Sequence, residues 1–400
     1  MCYMRSCLLS ALLISAMTAA PAAQTTATIH GEYVRYDLLD PSAGRVRISA
    51  DVVVATAGAT FFFTPGPASA GGSDVRVIDQ ASGQDLKWER VTGRLKVYLR
   101  QPVGHGAQTR VRVEFTDTDL QHFARQRDGL SFDRASGIRR GSVVLPAGYR
   151  LISCNVPAQV IASADGRLMI SVMNAGAAQP FELRAAPGLA PFTPKWPTAR
   201  GAAAQTSLAS QASRLGERAW QDRDIVYFMN DPATNSFSLY HDYTESRVGI
   251  GNYFNVVRAG SRASNPSATN LDTGEALKVE TLKGDEIKRR NLNVGETVDA
   301  DTEVVVITFS PVVAGKTTRL RIAETYTDPG RYFLEGDEFV WDRGFGRPHN
   351  SVVLPAGWTA IANSIPAIIS TDADGRQRLA YENNRPDEIQ VLIRGRKFTK

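Results

Sequence analysis

Seven consecutive residues occur twice in this chain, once in each half. Ser142-Val143-Val144-Leu145-Pro146-Ala147-Gly148 returns as Ser351-Val352-Val353-Leu354-Pro355-Ala356-Gly357, 209 positions later. That interval is far outside the 20–50-residue periods of solenoids and propellers, so the repeated unit is a whole domain. The match runs without a gap over residues 109–183 and 318–392, where 26 of 75 positions are identical. Unrelated segments of ordinary composition would share roughly 5. The identities include Asp133-Arg134 with Asp342-Arg343, Gly137 with Gly346, Pro157-Ala158 with Pro366-Ala367, and Ala164-Asp165-Gly166-Arg167 with Ala373-Asp374-Gly375-Arg376.

Upstream the offset becomes 191. Tyr36 then meets Tyr227, Asp51 meets Asp242, and Leu86-Lys87 meets Leu277-Lys278. The two offsets differ by 18, so the second copy carries an insertion of 18 residues between about Glu280 and Thr318. Its charged run, Lys283-Gly284-Asp285-Glu286-Ile287-Lys288-Arg289-Arg290, suits a surface loop or a lengthened hairpin, where extra length costs little.

Period-two alternation dominates both copies. Thr109-Arg110-Val111-Arg112-Val113 and Thr318-Arg319-Leu320-Arg321-Ile322 place charges on one face and aliphatic side chains on the other, the pattern of a half-buried antiparallel strand. Residues 304–309 are more uniformly apolar and predict a central strand. Asp165-Gly166 and Asp374-Gly375 predict type I′ hairpins, and Pro146 and Pro355 end the Val-Val-Leu strands. The expectation is an all-β chain: two tandem homologous antiparallel β-sandwich domains, each around its own interior. Domain 1 spans residues 24–184 and domain 2 residues 225–400. Between them, residues 185–224 form a Pro/Ala-rich linker anchored by Trp196, then a short helix on Leu208, Ala212, Leu215 and Ala219.

Residues 1–23 read as a secretory signal peptide, with Arg5 ahead of an apolar stretch at 8–16 too short to span a bilayer. No other segment is apolar enough to span, so the mature chain is expected in the periplasm or outside a bacterial cell. Cys2 and Cys7 would leave with the leader, and Cys154 alone cannot form an intramolecular disulfide. Its counterpart is Asn363, so the thiol reads as a buried small side chain. A formal charge of +5 mildly favours an anionic envelope polymer as partner, with a peptide or another envelope protein as further possibilities. Basic residues do not interleave with aromatics, which argues against nucleic acid.

Catalytic signatures are absent from the text of the sequence. The five histidines, His30, His105, His122, His241 and His349, show no metal-ligand spacing, and there is no Gly-x-Ser-x-Gly elbow or phosphate-binding glycine loop. No catalytic residue, metal or other cofactor is assigned. Alternation puts His241, Tyr243 and Glu245 on one strand face, either as a binding strip or as cross-strand packing. Asp372-Ala373-Asp374-Gly375 resembles part of a calcium loop but reads better as a hairpin turn. Phe132-Asp133-Arg134 and Trp341-Asp342-Arg343 offer either an aromatic platform with an arginine for a ligand, or a core ring with an Asp-Arg pair fixing the following turn. Arg347, His349 and Asn350 make the second copy the more polar of the two. The candidate ligand-binding residues are therefore Trp341, Arg343, His349, His241 and Glu245.

The second half carries Asp224-Ile225-Val226-Tyr227, His241-Asp242-Tyr243-Thr244, Leu271-Asp272-Thr273-Gly274-Glu275, Glu324-Thr325-Tyr326-Thr327-Asp328, Trp341-Asp342-Arg343 and Leu354-Pro355-Ala356-Gly357-Trp358. In these segments it resembles a recurring, functionally uncharacterised β-rich domain family of secreted bacterial proteins, over residues 224–397 and, in divergent form, the first half. The strand layout is also similar, distantly, to the non-catalytic N-terminal β domain of M1 aminopeptidases. The zinc-binding helix motif of those enzymes is missing, so no peptidase residue carries over. The resulting expectation is an exported, non-catalytic binding or assembly module of the bacterial cell envelope. The alternative is a hydrolase acting on an envelope polymer or peptide, with His241, Asp242 and Glu245 converging in a groove.

Overall fold

A computed structural model of the chain describes residues 27–64, 71–134, 140–173, 181–194, 223–257, 259–295, 297–383 and 388–399. The expected signal peptide and the helix at 208–220, with Trp196, lie outside these residues. The first half begins β1 (Ile29–Asp40), β2 (Arg45–Val54), β3 (Phe61–Phe63), β4 (Ser73–Asp79), β5 (Trp88–Val91), β6 (Arg94–Tyr98) and β7 (Thr109–Thr118). It continues with β8 (Phe123–Gln126), β9 (Gly129–Arg134), β10 (Arg140–Val144), β11 (Tyr149–Ala162), β12 (Leu168–Met173) and β13 (Phe181–Pro187). The second half repeats the series as β14 (Arg223–Met229), β15 (Ser236–Glu245), β16 (Asn252–Val256), β17 (Arg262–Asn270), β18 (Lys278–Lys283), β19 (Glu303–Thr308) and β20 (Thr318–Thr327). Then come β21 (Tyr332–Glu335), β22 (Glu338–Phe345), β23 (His349–Val353), β24 (Trp358–Asn363), β25 (Ala367–Thr371), β26 (Gln377–Glu382) and β27 (Ile389–Lys397). The chain is all-β with several antiparallel sheets. Among the described residues no helix is long and apolar enough to cross a membrane.

The twice-used heptapeptide occupies the same place in both halves. β10 pairs in parallel with β1, Val143 opposite Tyr36; β23 pairs in parallel with β14, Val352 opposite Tyr227. A parallel pair inside each otherwise antiparallel array was not foreseen. Alternation and turn residues report a strand's faces and its sequence neighbour, but not a partner a hundred residues away. The following Pro-Ala-Gly makes a tight turn: Tyr149 N–H donates to the Pro146 carbonyl at 3.2 Å and Trp358 N–H to the Pro355 carbonyl at 3.1 Å. Gly148 and Gly357 take φ of 78° and 80°, the left-handed value that a type II turn requires at this position.

The Asp-Gly hairpins differ from expectation. Gly166 and Gly375 have positive φ, but Asp165 and Asp374 do not, so these are not type I′ turns. Gly166 N–H donates to Ser163 and Ser163 N–H to Arg167, closing a three-residue loop whose glycine supplies the bulge. Each aspartate instead accepts from the backbone and guanidinium of the arginine two residues on, Arg167 or Arg376, at 2.7 Å for the side-chain bond. Asp372 is held by Arg378 at 2.7 and 2.8 Å, which leaves the calcium-like run a hairpin. The insertion falls where the offsets place it. β5 and β6 join through Thr92-Gly93, whereas β18 and β19 are separated by a helix, α1 (Gly284–Arg289), and a loop. The insertion folds on a small apolar cluster of its own, Leu282, Ile287, Val304 and Val306.

β11 is long enough to take two partners in succession. Its first part pairs with β13 and its last part with β12, and the switch falls at Asn155-Val156-Pro157. The second half breaks the same strand into β24, paired with β27, and β25, paired with β26, around Pro366. A proline lacks the N–H that a ladder needs, so the pairing changes partner there.

The two halves meet along these strands. β11 pairs antiparallel with β25, and Ala158 lies opposite Ala367, its own counterpart in the repeat. A residue opposite its equivalent marks a local two-fold relation between the halves. The buried apolar side chains of both halves join through this contact into one connected cluster, where the sequence reading has a separate interior in each. Asn363 secures the seam: its Oδ1 accepts from Val160 N–H and its Nδ2 donates to the carbonyls of Ala158 at 3.2 Å and Ile365 at 2.6 Å. Gln377 Nε2 donates to the Leu151 carbonyl at 2.8 Å. Replacing Asn363 by alanine removes a partner from one buried N–H and two carbonyls, and should cost about 2 kcal/mol in a denaturant titration. A loss within error of zero would show that the seam does not depend on it.

At the symmetric position Cys154 is fully buried and faces Ile369. Burial pushes its thiol up to about 11 against a lesser opposing hydrogen bond from the Val156 backbone. The native chain should therefore leave Cys154 unmodified by a thiol reagent at pH 8 and react fully once unfolded. Rapid stoichiometric labelling of the folded protein would contradict this.

Candidate functional site

Alternation along β22 turns Trp341 and Arg343 inward and Asp342 outward. Trp341 is 1% exposed and Arg343 7% exposed. The Arg343 guanidinium lies among four rings: Phe237 at 5.0 Å, Tyr326 at 5.5 Å, Tyr227 at 5.7 Å and Trp341 at 5.9 Å. Its Nη1 donates to Asp328 Oδ2 at 3.2 Å, and Ser261 also donates to that carboxylate at 2.9 Å. The aromatic box is thus occupied by the protein's own cation. Neither residue of the Asp342-Arg343 pair binds the other; Asp342 accepts from Gln390.

The first half repeats this arrangement. Arg134 pairs with Asp119, the counterpart of Asp328, and lies 5.6 Å from the ring of Tyr36, the counterpart of Tyr227. A second pair recurs as Arg112–Asp51 and Arg321–Asp242, each at 2.7 Å. Retention of these pairs in both halves matches a role in holding the fold. Glu324 belongs to the second half alone, since Phe115 stands at its position in the first. It is buried beside Asn255, which donates to its Oε1 and, at 3.1 Å, meets Tyr326 Oη. Burial pushes the Glu324 carboxyl up to about 7, against the Asn255 hydrogen bond and the Arg343 charge.

His241, Tyr243 and Glu245 do share the inner face of β15. His241 is buried edge-on against Tyr253 at 5.4 Å. Glu245 is fully buried; burial opposes its charge, but hydrogen bonds from Arg247 and Tyr243 prevail and hold its carboxyl below the ordinary range. Asp242 points to the opposite face, bound in two-point fashion by Arg321. The three groups required for a hydrolytic groove therefore do not converge. His349 stands on the surface, 3.2 Å from Glu382. Among the described residues no three His, Cys, Asp or Glu side chains stand close enough to hold a metal ion.

The sequence reading did not find a cleft of 530 Å³ at the junction of the halves. Its cationic wall is Arg125, Arg127 and Arg150, with Asp128 the sole carboxylate of the lining and Tyr149 and Phe398 its rings. The end of the chain closes it: Leu189 bridges to Phe398, and Thr399 N–H donates to the Gly188 carbonyl at 2.9 Å. Thr371 adds a hydroxyl from β25. The Arg150 guanidinium stacks on Phe398 with its carbon 3.6 Å from the ring centre, and its buried Nε has no hydrogen-bond partner among the described residues. Burial lowers the pKa of Arg150 from the ordinary arginine value.

Comparison of the two copies exposes this site in the sequence. Arg125, Arg127 and Arg150 correspond to Leu334, Gly336 and Thr359, and Gln126 and Gly129 to Glu335 and Glu338. In the second half those glutamates are spent on Arg394 and Arg396, at 2.5 to 3.1 Å. The first half has arginines where the second has Leu334, Gly336 and Thr359, and lacks its two glutamates at the equivalent place.

No family model and no curated protein matches the chain. Solved structures with partial likeness include an aminopeptidase N family protein from Idiomarina loihiensis, 9% identical with a TM-score of 0.28, covering 40% of this chain and 29% of that one. An M1 zinc metallopeptidase from Deinococcus radiodurans, solved with a Tyr-Ser-Ala substrate, is 14% identical with a TM-score of 0.27, covering 40% and 42%. A two-domain M1 zinc metallopeptidase bound to L-tryptophan is 16% identical with a TM-score of 0.27, covering 44% and 43%. The chain spans less than half the length of each. At such scores neither a residue nor an activity passes to this chain.

Proposed function

We propose that the chain is an exported, non-catalytic binding or assembly module of the bacterial cell envelope, built from two β-sandwich domains over residues 24–184 and 225–400. The observation that carries this reading is the junction cleft, which draws its walls from both halves and presents arginines that form no ion pair among the described residues. The leader-like N-terminus supports export to the periplasm or beyond. The buried settings of Arg343, paired with Asp328, and of Glu245, paired with Arg247, support a scaffolding role for the residues that sequence spacing singled out, with His349 left on the surface. A duplicated chain that builds one composite site between its copies gains a surface that neither copy has alone.

Co-sedimentation of the full mature chain with bacterial envelope fragments tests the reading. The expected result is saturable retention, with no turnover of peptide or ester substrates. Absence of retention, together with turnover that is lost in His241→Gln or Glu245→Gln, would replace the binding module by the hydrolase.

A further inference from the structure

We infer that the junction cleft is an oxyanion site, taking a carboxylate- or phosphate-bearing oligomer with Arg150 as its anchor. The inference rests on the binding-module reading and adds the chemistry of what is bound. The first support is a local imbalance of charge. Three arginines and one aspartate line the cleft, and among the described residues none of Arg125, Arg127 and Arg150 forms an ion pair. A soluble surface scatters unpaired arginines, but three in one concave site with ring walls focus the field inward.

The second support is the sister half, which shows the same corner of the fold in neutralised form. There Glu338 receives Arg394 at 2.7 Å and Arg396 at 3.1 Å, and Asp337 receives Arg396 at 3.2 Å. In the first half Ala185 and Pro187 stand where Arg394 and Arg396 do, and Gln126 and Gly129 replace the two glutamates. The first-half arginines enter from other positions and, among the described residues, pair with no carboxylate in exchange. Glycine at 129 is also forced by space, since a Cβ there would stand 2.1 Å from the Ala185 carbonyl oxygen. An anion supplied from outside would give the cleft arginines the counter-charge that Glu335 and Glu338 give Arg394 and Arg396 in the sister.

The third support is the setting of Arg150 itself. Stacking of a guanidinium on a ring leaves its N–H edge free for two-point bonding to a carboxylate or phosphate. The Phe398 ring fixes that plane from the second half while the arginine comes from β11 of the first. A partly buried cation that no described residue neutralises burdens the free protein, and an incoming oxyanion relieves it. The cleft volume is within the range of sites that hold small ligands or a short stretch of a polymer.

Titration calorimetry on the full chain at low salt would use three probes: trigalacturonate for carboxylates, tripolyphosphate for phosphates, and neutral galactotriose as control. The expected result is one-to-one binding of at least one charged probe, weakened by added salt, with none by the neutral sugar. The preferred probe identifies which oxyanion is the natural one. Arg150→Met keeps the stem against Phe398 and should weaken binding at least tenfold, with a melting temperature equal to or above that of the wild type. Arg125→Gln with Arg127→Gln changes only exposed positions and should weaken the same probe without touching stability. Equal affinity for the charged and neutral probes, no binding of either charged probe, or a lowered melting temperature of Arg150→Met with unchanged affinity would each overturn the inference. If the probes fail while the chain still sediments with envelope fragments, the ligand chemistry falls and the binding-module reading stands; if both fail, both fall.

Discussion

Replacing Arg343 by methionine is expected to destabilise the second half by about 3–5 kcal/mol, the cost of leaving one member of a buried ion pair alone. The side chains of Arg343 and Asp328 are 8% and 1% exposed, so water cannot take over the lost contact. Ser261 and, at 3.5 Å, Arg331 would still reach the carboxylate, but Arg331 is the more solvent-exposed and the weaker partner. The aromatic box would lose its cation at the same time, and methionine fills only part of the space. Urea unfolding followed through Trp341 fluorescence gives the readout, because that ring borders the guanidinium. Removing both charges, Arg343→Met with Asp328→Asn, should restore much of the loss, since no uncompensated charge remains. The equivalent change Arg134→Met should cost less, as Arg134 and Asp119 are 21% and 11% exposed. A single-variant loss below 1 kcal/mol would show that the pair is not what holds this interior.

Glu324→Gln is expected to remove a pH dependence worth about 3 kcal/mol. The Glu324 carboxyl stands near 7 in the folded chain against 4.5 for an unperturbed glutamate, a difference of about 2.5 units at 1.36 kcal/mol each. Burial is the main cause. The sign follows from proton binding: the folded state holds the proton more tightly than the unfolded one, so this contribution is complete below pH 4.5 and is lost as pH rises through 7. Glutamine copies the protonated acid in shape and keeps the oxygen that accepts from Asn255, so its curve should be flat over that window. Carboxylates such as Glu245, held below the ordinary range, run the other way, with stability lost as pH falls through their folded value. The informative quantity is therefore the difference between variant and wild type at pH 4, 6 and 8. A difference that does not change across those values would place Glu324 in a wetter setting than the fold gives it.

Much of the architecture is written in local pattern. The repeated heptapeptide is legible because it lies in a central strand with a proline-glycine turn after it, and both features act through their own backbone. The insertion is legible because an offset change needs no knowledge of folding. What local pattern does not carry is the partner of a strand or of a charge. Asp119 lies 15 residues before Arg134, and Asp342 is the immediate neighbour of Arg343, yet the ion pair forms across the longer interval because strand pleating puts adjacent residues on opposite faces. Asp242 failed to join His241 for the same reason. The cleft was missed because its arginines enter from β8, the following turn and β11, and its ring from the last residues of the chain. The signal that could have revealed it is the set of positions where the copies disagree in charge: Arg125 against Leu334, Gly129 against Glu338 and Arg150 against Thr359.

The pairing of Ala158 with Ala367 has a consequence for how this molecule became asymmetric. A contact in which a segment faces its own replica closes on itself, so it saturates with two copies and cannot propagate into a filament. Two unlinked chains meeting this way would come apart on dilution. Joined end to end, they hold the contact at a fixed effective molarity regardless of how little protein is present. The linkage also releases the copies from sharing one genotype: a residue can change on one side of the axis and stay on the other. Cys154 in one half against Asn363 in the other, and arginines lining a cleft in the half that lacks its twin's glutamates, are differences that such linkage permits.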